Sequence, residues 1–283
     1  MSRGTLIQWA DDTVNPVVGC DGCELWGLTS RICYAGKLHE IREGRPGYAR
    51  DFGKPELFAG RMRAAARAPA LQGLRRTAKP WLDGAPRLVF ASDLGDALSS
   101  DVPFEFLETE ILGQVSSEEG SRHRWLWLTK QPARMKKFSE WAMRRGWTWP
   151  SNLWVGTSVT AAANASRAAQ LRGVGDDRTT RFVSFEPLVE PVAFTELVVG
   201  IDWAIIGGES GKEARRFDTT WVFDAVAACR SSNVALFVKQ LGRNVVHAGA
   251  QLRLRDVHGG DWEEWPADLR IRELPRERAA GQM

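Results

Sequence analysis

Two tyrosines and four cysteines are all that this 283-residue chain has of either residue, although it holds thirteen tryptophans. So few cysteines exclude a disulfide-stapled scaffold, which needs them densely and in pairs. Long apolar runs are missing as well. The best stretch, residues 197–208, is interrupted by Asp202 and falls short of the roughly 20 residues a membrane helix needs. No basic segment followed by an apolar run stands at the start, so no secretory leader is expected and a reducing cytoplasm is. Nor is there a large net charge. With 38 Lys/Arg against 35 Asp/Glu, the balance of +3 excludes a polycation. The hydrophobic content of 43% and charged content of 26% are ordinary for a globular protein. At this length a core forms without a metal to hold it together.

What charge there is lies unevenly. Residues 37–87 carry twelve Lys/Arg against five Asp/Glu, and residues 121–145 carry eight against one. Such stretches attract phosphate groups, which makes nucleic acid a candidate partner. They also serve as the solvated faces of helices, and both readings stand at this level.

Three of the four cysteines fall between Val14 and His39, at Cys20, Cys23 and Cys33; the fourth is Cys229. Thiolates prefer soft centres, zinc or iron–sulfur, to oxygen-seeking cations. A C-x2-C pair brings two sulfurs of one turn to one centre, and Gly19 and Gly22 give that turn its backbone freedom. If the three cysteines are the whole ligand set, a four-iron cluster keeps one iron open. If His39 joins them, the set becomes a closed Cys3His zinc site, since the gap from Cys33 suits zinc.

From Arg87 onward a rhythm appears. Short apolar runs at 87–93, 124–130, 152–159, 180–188, 202–211 and 234–242 alternate with segments of helical spacing at 104–115, 131–145, 161–172 and 219–231. Such runs read as strands covered on both faces, and the alternation predicts repeated βα units and a parallel sheet. An earlier strand is expected over Val14–Val18, and residues 37–79 read as mainly helical and basic, with a strong helix former at 60–68. The expected fold is α/β, with a partial (β/α)6-type TIM barrel over residues 1–245 favoured over a doubly wound open sheet. A C-terminal extension follows over 246–283, with a small hairpin or cap and a frayed end from Pro275.

Barrel chemistry gathers where strands end. Every expected strand here ends in polar residues: Ser92 and Asp93; Thr129 and Lys130; Thr157 and Ser158; Ser184 and Glu186; Gly207, Gly208, Glu209 and Ser210; Lys239 and Gln240. Ser, Thr and Asp there also serve as helix caps. As a set they predict a ligand-lined mouth.

The stretches NPVVGC, CYA, WLTKQP, NLWVGTSV, RFVSFEPL, DWAIIGGESG and LFVKQLG occur in order from Asn15 to Gly242. On them the chain resembles a phage- and bacteria-associated three-cysteine-motif family that is itself similar to the radical S-adenosylmethionine (SAM) enzymes. The resemblance implies a partial β/α barrel whose Cys20, Cys23 and Cys33 hold a [4Fe–4S] cluster, with SAM on the open iron. It implies Tyr34 near the adenine, and Gly207, Gly208 and Glu209 as a glycine-acid motif for the SAM amino group. Two features depart from the superfamily pattern. The spacing is C-x2-C-x9-C rather than C-x3-C-x2-C, and the glycine-acid motif comes late.

The leading expectation is therefore a radical SAM enzyme that abstracts hydrogen from a nucleoside- or nucleotide-like small molecule. Ser92, Asp93, Thr129, Lys130, Thr157, Ser158 and Ser210 join Gly207–Glu209 in lining the cofactor site, with Glu186 and Lys239 as catalytic residues. A reductase or flavodoxin-type donor supplies the electron, and no membrane is involved. If the product is an epimer, Cys229 is the one cysteine left to return a hydrogen atom, although buried structural cysteine is common in helical segments of this kind. The alternative is a zinc-containing accessory protein that binds nucleic acid. A metal-free hydrolase using Asp93 and Glu186 leaves the clustered cysteines without a purpose.

Overall fold

The computed structural model describes residues 2–276. The frayed end expected from Pro275 thus lies almost wholly outside the described residues. The fold is mixed α/β. Its main strands are β1 (Asp12–Val14), β2 (Arg87–Ala91), β3 (His123–Thr129), β4 (Leu153–Ser158), β5 (Arg181–Phe185), β6 (Trp203–Gly207) and β7 (Ala235–Gln240). Its main helices are α1 (Tyr34–Arg42), α2 (Arg61–Ala66), α3 (Pro132–Arg144), α4 (Ser166–Leu171) and α5 (Thr220–Ser231). All six strand runs expected after Arg87 are present. The described residues form two compact units, one of 2–6, 10–75 and 83–154, the other of 7–9, 76–82 and 155–276.

In the first unit β1, β2 and β3 lie side by side and parallel, with Asp12 opposite Val89 and Arg87 opposite His123. All five residues of β2 are buried, as its unbroken apolar run requires. The exception to that apolarity is paired: Arg87 meets the buried Asp12 in an ion pair, and the Gly4 N–H donates to the same carboxylate. The first parallel strand begins at Asp12, earlier than expected. Pro16 ends it, and Val17–Val18 pairs instead with Glu56–Leu57, antiparallel.

The helical expectation for residues 37–79 is largely overturned. Only the end of α1 and the six residues of α2 are α-helical there. Gly44 and Gly47, both in the left-handed region, turn the chain instead. The short α2 is capped by distant side chains. Glu110, buried in a π-helical turn over Glu108–Leu112, accepts from the N–H groups of Gly60 and Met62 at 2.9 Å each. At the other end His123 Nε2 donates to the Ala66 carbonyl at 2.9 Å.

In the second unit the strand from Val155 of β4, then β5, β6 and β7 follow in order and parallel. Its core is aromatic: Trp203 packs edge-on to Trp9 at 6.3 Å and to Phe237 at 5.8 Å. The expected hairpin is Val245–His247 paired with Ala250–Leu252. Beyond it the chain returns along β7, where Val238 N–H donates to Ile271 O and Glu273 N–H to Leu236 O, covering an edge that would otherwise be open. Arg272 anchors that return with its guanidinium 3.9 Å from the Trp81 ring centre, and burial pulls its pKa down to about 10.

Parallel strands in chain order with helices between them bear out the α/β expectation and match the layout of a partial barrel. No helix among the described residues is long and apolar enough to cross a membrane.

Candidate thiol site and strand-end residues

The cysteine loop hangs from β1 and is fastened on several sides. Gly19 N–H donates to Leu94 O, Asp96 N–H to Gly19 O, and Cys20 N–H to Phe52 O at 2.8 Å. Gly19 and Gly95 face each other so closely that a β-carbon on Gly95 would fall 2.4 Å from Gly19 O. Gly22 turns the chain at a φ of 100°, in the region that favours glycine, so the C-x2-C turn forms as its sequence requires. Cys23 and Trp26 exchange backbone hydrogen bonds, and the Trp26 ring packs on Phe52 at 5.3 Å. Cys33 is the residue from which α1 starts. The tip is open to solvent: Leu28 is fully exposed and Tyr34 is 69% exposed.

All four cysteines are free thiols. Burial pushes Cys20 up to about 12, and the charges of Cys33 and Cys23 push in the same direction. Burial also raises Cys23, while the Lys130 charge pulls it down. The three thiols of the loop thus lie within electrostatic reach of one another. Among the described residues, however, no set of three or more His, Cys, Asp or Glu side chains is gathered closely enough to hold a metal ion. Three thiols on one loop supply soft donors, a Gly22 backbone hydrogen bond reaches Cys20, and the Leu25 N–H is aimed at Cys23 Sγ from 3.4 Å. His39 Nε2 donates to Ala49 O at 2.7 Å and its ring packs against Phe52.

Beside this loop the end of β2 carries the sharpest strain of the unit. Ser92 is buried with a φ of 73°, and its hydroxyl has no hydrogen-bond partner. A residue with a β-carbon in that region costs on the order of 1–3 kcal/mol, and such strain clusters at functional sites. Asp93 follows, raised by burial but steadied by Asn15 Nδ2 at 2.6 Å and by Thr13. The Tyr34 phenol lies within electrostatic reach of Asp93. Tyr34 directly follows Cys33, and Ser92 and Asp93 directly follow β2. Thr129 does not present its hydroxyl to a ligand there: the Oγ1 donates to Asp96 and accepts from the Gln131 N–H.

In the second unit the strand ends hold a separate cluster. Lys239 Nζ sits 2.9 Å from Glu186 Oε1, and the Ser184 hydroxyl donates to Glu186 Oε2 at 3.2 Å. Both partners are mostly buried. Gly207 and Gly208 are small because the chain itself crowds them. A β-carbon on Gly207 would fall 2.9 Å from Glu186 Oε1, and one on Gly208 would fall 2.4 Å from Leu241 O. Glu209 is taken up by Arg215, which donates to it from its backbone N–H, Nε and Nη2. The expected meeting of Gly207, Gly208 and Glu209 with an amino group thus has competitors within the chain. Thr157 and Ser158 are buried and Ser210 is half-buried in the same unit.

Cys229 is buried in α5, pushed up to about 12 by burial. Val234 N–H donates to its carbonyl, which puts it at the start of β7, whereas Lys239 stands near that strand's far end. Four residues of strand separate Ala235 from Lys239, about 13 Å. That placement counts against a hydrogen-donor role beside Glu186.

Sequence reasoning missed Asp96. Its carboxylate is buried and accepts from the Thr129 hydroxyl, the Lys130 N–H and the Leu98 N–H. The SDLGD run contains two acidic residues, and nothing in its spacing says which faces inward. Residues 4–266 match the model of a family described as protein of unknown function (DUF5131). No curated protein and no solved structure matches the chain.

Proposed function

Because the chain belongs to the DUF5131 family, whose description carries no activity, we propose its function from the thiol loop and what surrounds it. It is a radical SAM-type enzyme acting on a C–H bond of a small, nucleoside- or nucleotide-like molecule. The observation that carries this reading is three thiols, Cys20, Cys23 and Cys33, on one loop tied through Gly19 by backbone hydrogen bonds to Leu94 and Asp96 after β2. Cys20, Cys23 and Cys33 would hold a [4Fe–4S] cluster. When bound, that cluster and SAM supply one-electron cleavage of SAM and a radical able to take a hydrogen atom.

The chain's own residues bind, orient and exclude water. Ser92 offers a hydroxyl already desolvated and turned out of the strand. Asp93 offers an acceptor held in place by Asn15. Trp26 and Phe52 pack with Cys20 and Cys33. Lys130 supplies a positive charge beside Cys23.

Several of the cations that suggested a phosphate-binding face are used internally. Arg87 pairs with Asp12, Arg61 donates to Asn15 O and Gly47 O, and Arg134 donates to Val102 O. Lys37 and Arg45 remain exposed, as do Arg50 and Lys54 in surface pairs with Glu56 and Asp51, and suit a phosphorylated group. A reducing cytoplasm and a flavodoxin-type donor belong to the same proposal.

The test is purification without oxygen, followed by iron, sulfide and zinc analysis. About four irons per chain and a broad band near ~400 nm are expected, with 5′-deoxyadenosine released on reduction in the presence of SAM. A colourless protein with one zinc would sink the proposal.

A further inference from the structure

In the second unit, Gln8 and the stretch 77–81 line a cavity together with residues 256–263 and Arg272. Its volume of about 400 Å³ falls in the range of small-ligand sites, roughly 300–1,000 Å³. Two half-buried indoles wall it, Trp81 and Trp262, whose rings meet edge to face at 5.1 Å. The Arg272 guanidinium lies 3.9 Å from the Trp81 ring centre and 4.8 Å from that of Trp262. Its Nε and Nη2 donate to the carbonyls of Val238, Lys239 and Gly260. Among the described residues its Nη1 has no hydrogen-bond partner and its charge no ion pair, and the Gln8 carboxamide is likewise unengaged. Of the carboxylates lining the cavity, two are spent. Asp256 accepts from the N–H groups of His258, Gly260 and Asp261, and Glu263 pairs with Arg270 at 3.1 Å. Asp261 is exposed and uses Oδ1 to accept from the Glu263 N–H, which leaves Oδ2 open.

The lining narrows the ligand. Arg272 already holds the cation's place over the rings and repels a second cation. The Asp261 carboxylate, within electrostatic reach of Arg272, repels an anion. A neutral planar ring remains, one that stacks on indole and carries acceptors on one edge and donors on another. We propose that this cavity binds a guanine base, with O6 and N7 accepting from Arg272 and Gln8, N1–H and the 2-amino group donating to Asp261, and the ring against Trp262. A guanidinium matches O6 and N7 of guanine, and a carboxylate matches two adjacent N–H donors. Adenine carries an amino group where guanine carries O6, so it sets donor against donor at Arg272. The site lies wholly within the second unit and uses no thiol, so its failure would leave the proposed function standing, and the reverse holds too.

Calorimetric titration of the full-length protein with guanosine, inosine and adenosine tests this. Guanosine should bind at least about tenfold more tightly than adenosine. Inosine lacks the 2-amino group and should bind about tenfold more weakly than guanosine, the effect of one missing bond to a carboxylate. That comparison needs no variant and is indifferent to folding. Asp261→Asn keeps the side-chain oxygen that caps the Glu263 N–H, so it should leave the Tm unchanged and weaken guanosine about tenfold. Trp262→Leu should weaken guanosine about tenfold as well, through lost stacking. No binding of guanosine, equal affinity for guanosine and adenosine, or wild-type affinity in Asp261→Asn would each overturn the proposal. A short single-stranded oligonucleotide with one guanine identifies the source of the base. Tighter binding than guanosine assigns the site to a strand, and equal or weaker binding assigns it to a free nucleoside; both keep the guanine assignment.

Discussion

Gly36, in the first turn of α1, lies against the face of Trp26: a β-carbon at Gly36 would come within 2.4 Å of the indole ring. The contact joins the helix that starts at Cys33 to the turn that holds Cys23. Gly36→Ala cannot be absorbed without moving Trp26, and overpacking of this kind costs about 1–3 kcal/mol. Urea denaturation should show that loss, and fluorescence should show Trp26 more exposed. A variant as stable as wild type would mean that the ring has room to move.

Replacing any of Cys20, Cys23 or Cys33 by Ser should lower iron content from about four per chain to under about one, with circular dichroism unchanged. Cys229→Ser should leave iron content at the wild-type level. Equal loss in all four variants would argue that cysteine substitution merely unfolds the protein.

Lys239→Met leaves Glu186, whose side chain is 12% exposed, without its cation. The expected cost is roughly 1–3 kcal/mol, between the limits for exposed and fully buried pairs. The double variant Lys239→Met with Glu186→Gln should recover part of it. Additive losses in a double-mutant cycle would show that the pair is not coupled.

His123 is fully buried and neutral. Burial, together with the Arg87 and Arg122 charges, holds its pKa below the usual histidine value, against the hydrogen bond to Ala66. A base whose folded pKa is depressed adds stability above its unfolded pKa, about 6.5. That stability is lost as pH falls below that value toward the folded pKa, at no more than about 1.4 kcal/mol per pH unit. Comparing urea midpoints at several pH values between about 7.5 and 5 checks the sign. His123→Gln, which retains a donor toward Ala66, should flatten the dependence over that window. An equal slope in the variant would assign the effect to other groups.

The strand runs after Arg87 were legible because burial on both faces demands unbroken apolar sequence, and no other element of five to seven residues reads that way. The same logic failed for residues 37–79. Alanine- and arginine-rich composition promotes helix locally, but Gly44 and Gly47 divert the chain, and α2 is short enough to need Glu110 and His123 as caps. Those caps come from 48 or more residues away and have no local signal.

Within the candidate site, the sequence alone determined which chemistry is available: three thiols in one loop, glycine at the turn between two of them, and polar residues at every strand end. Residue type and local spacing suffice for that. Only the tertiary structure decided which of those groups face one another. It turned Thr129 toward Asp96, paired Glu186 with Lys239, gave Glu209 to Arg215, drew His39 to Ala49, left the Ser92 hydroxyl without a partner and buried Cys229 in α5. Each outcome depends on contacts between segments far apart in the chain, where the cost of burying a charge or hydroxyl unpaired selects the partner.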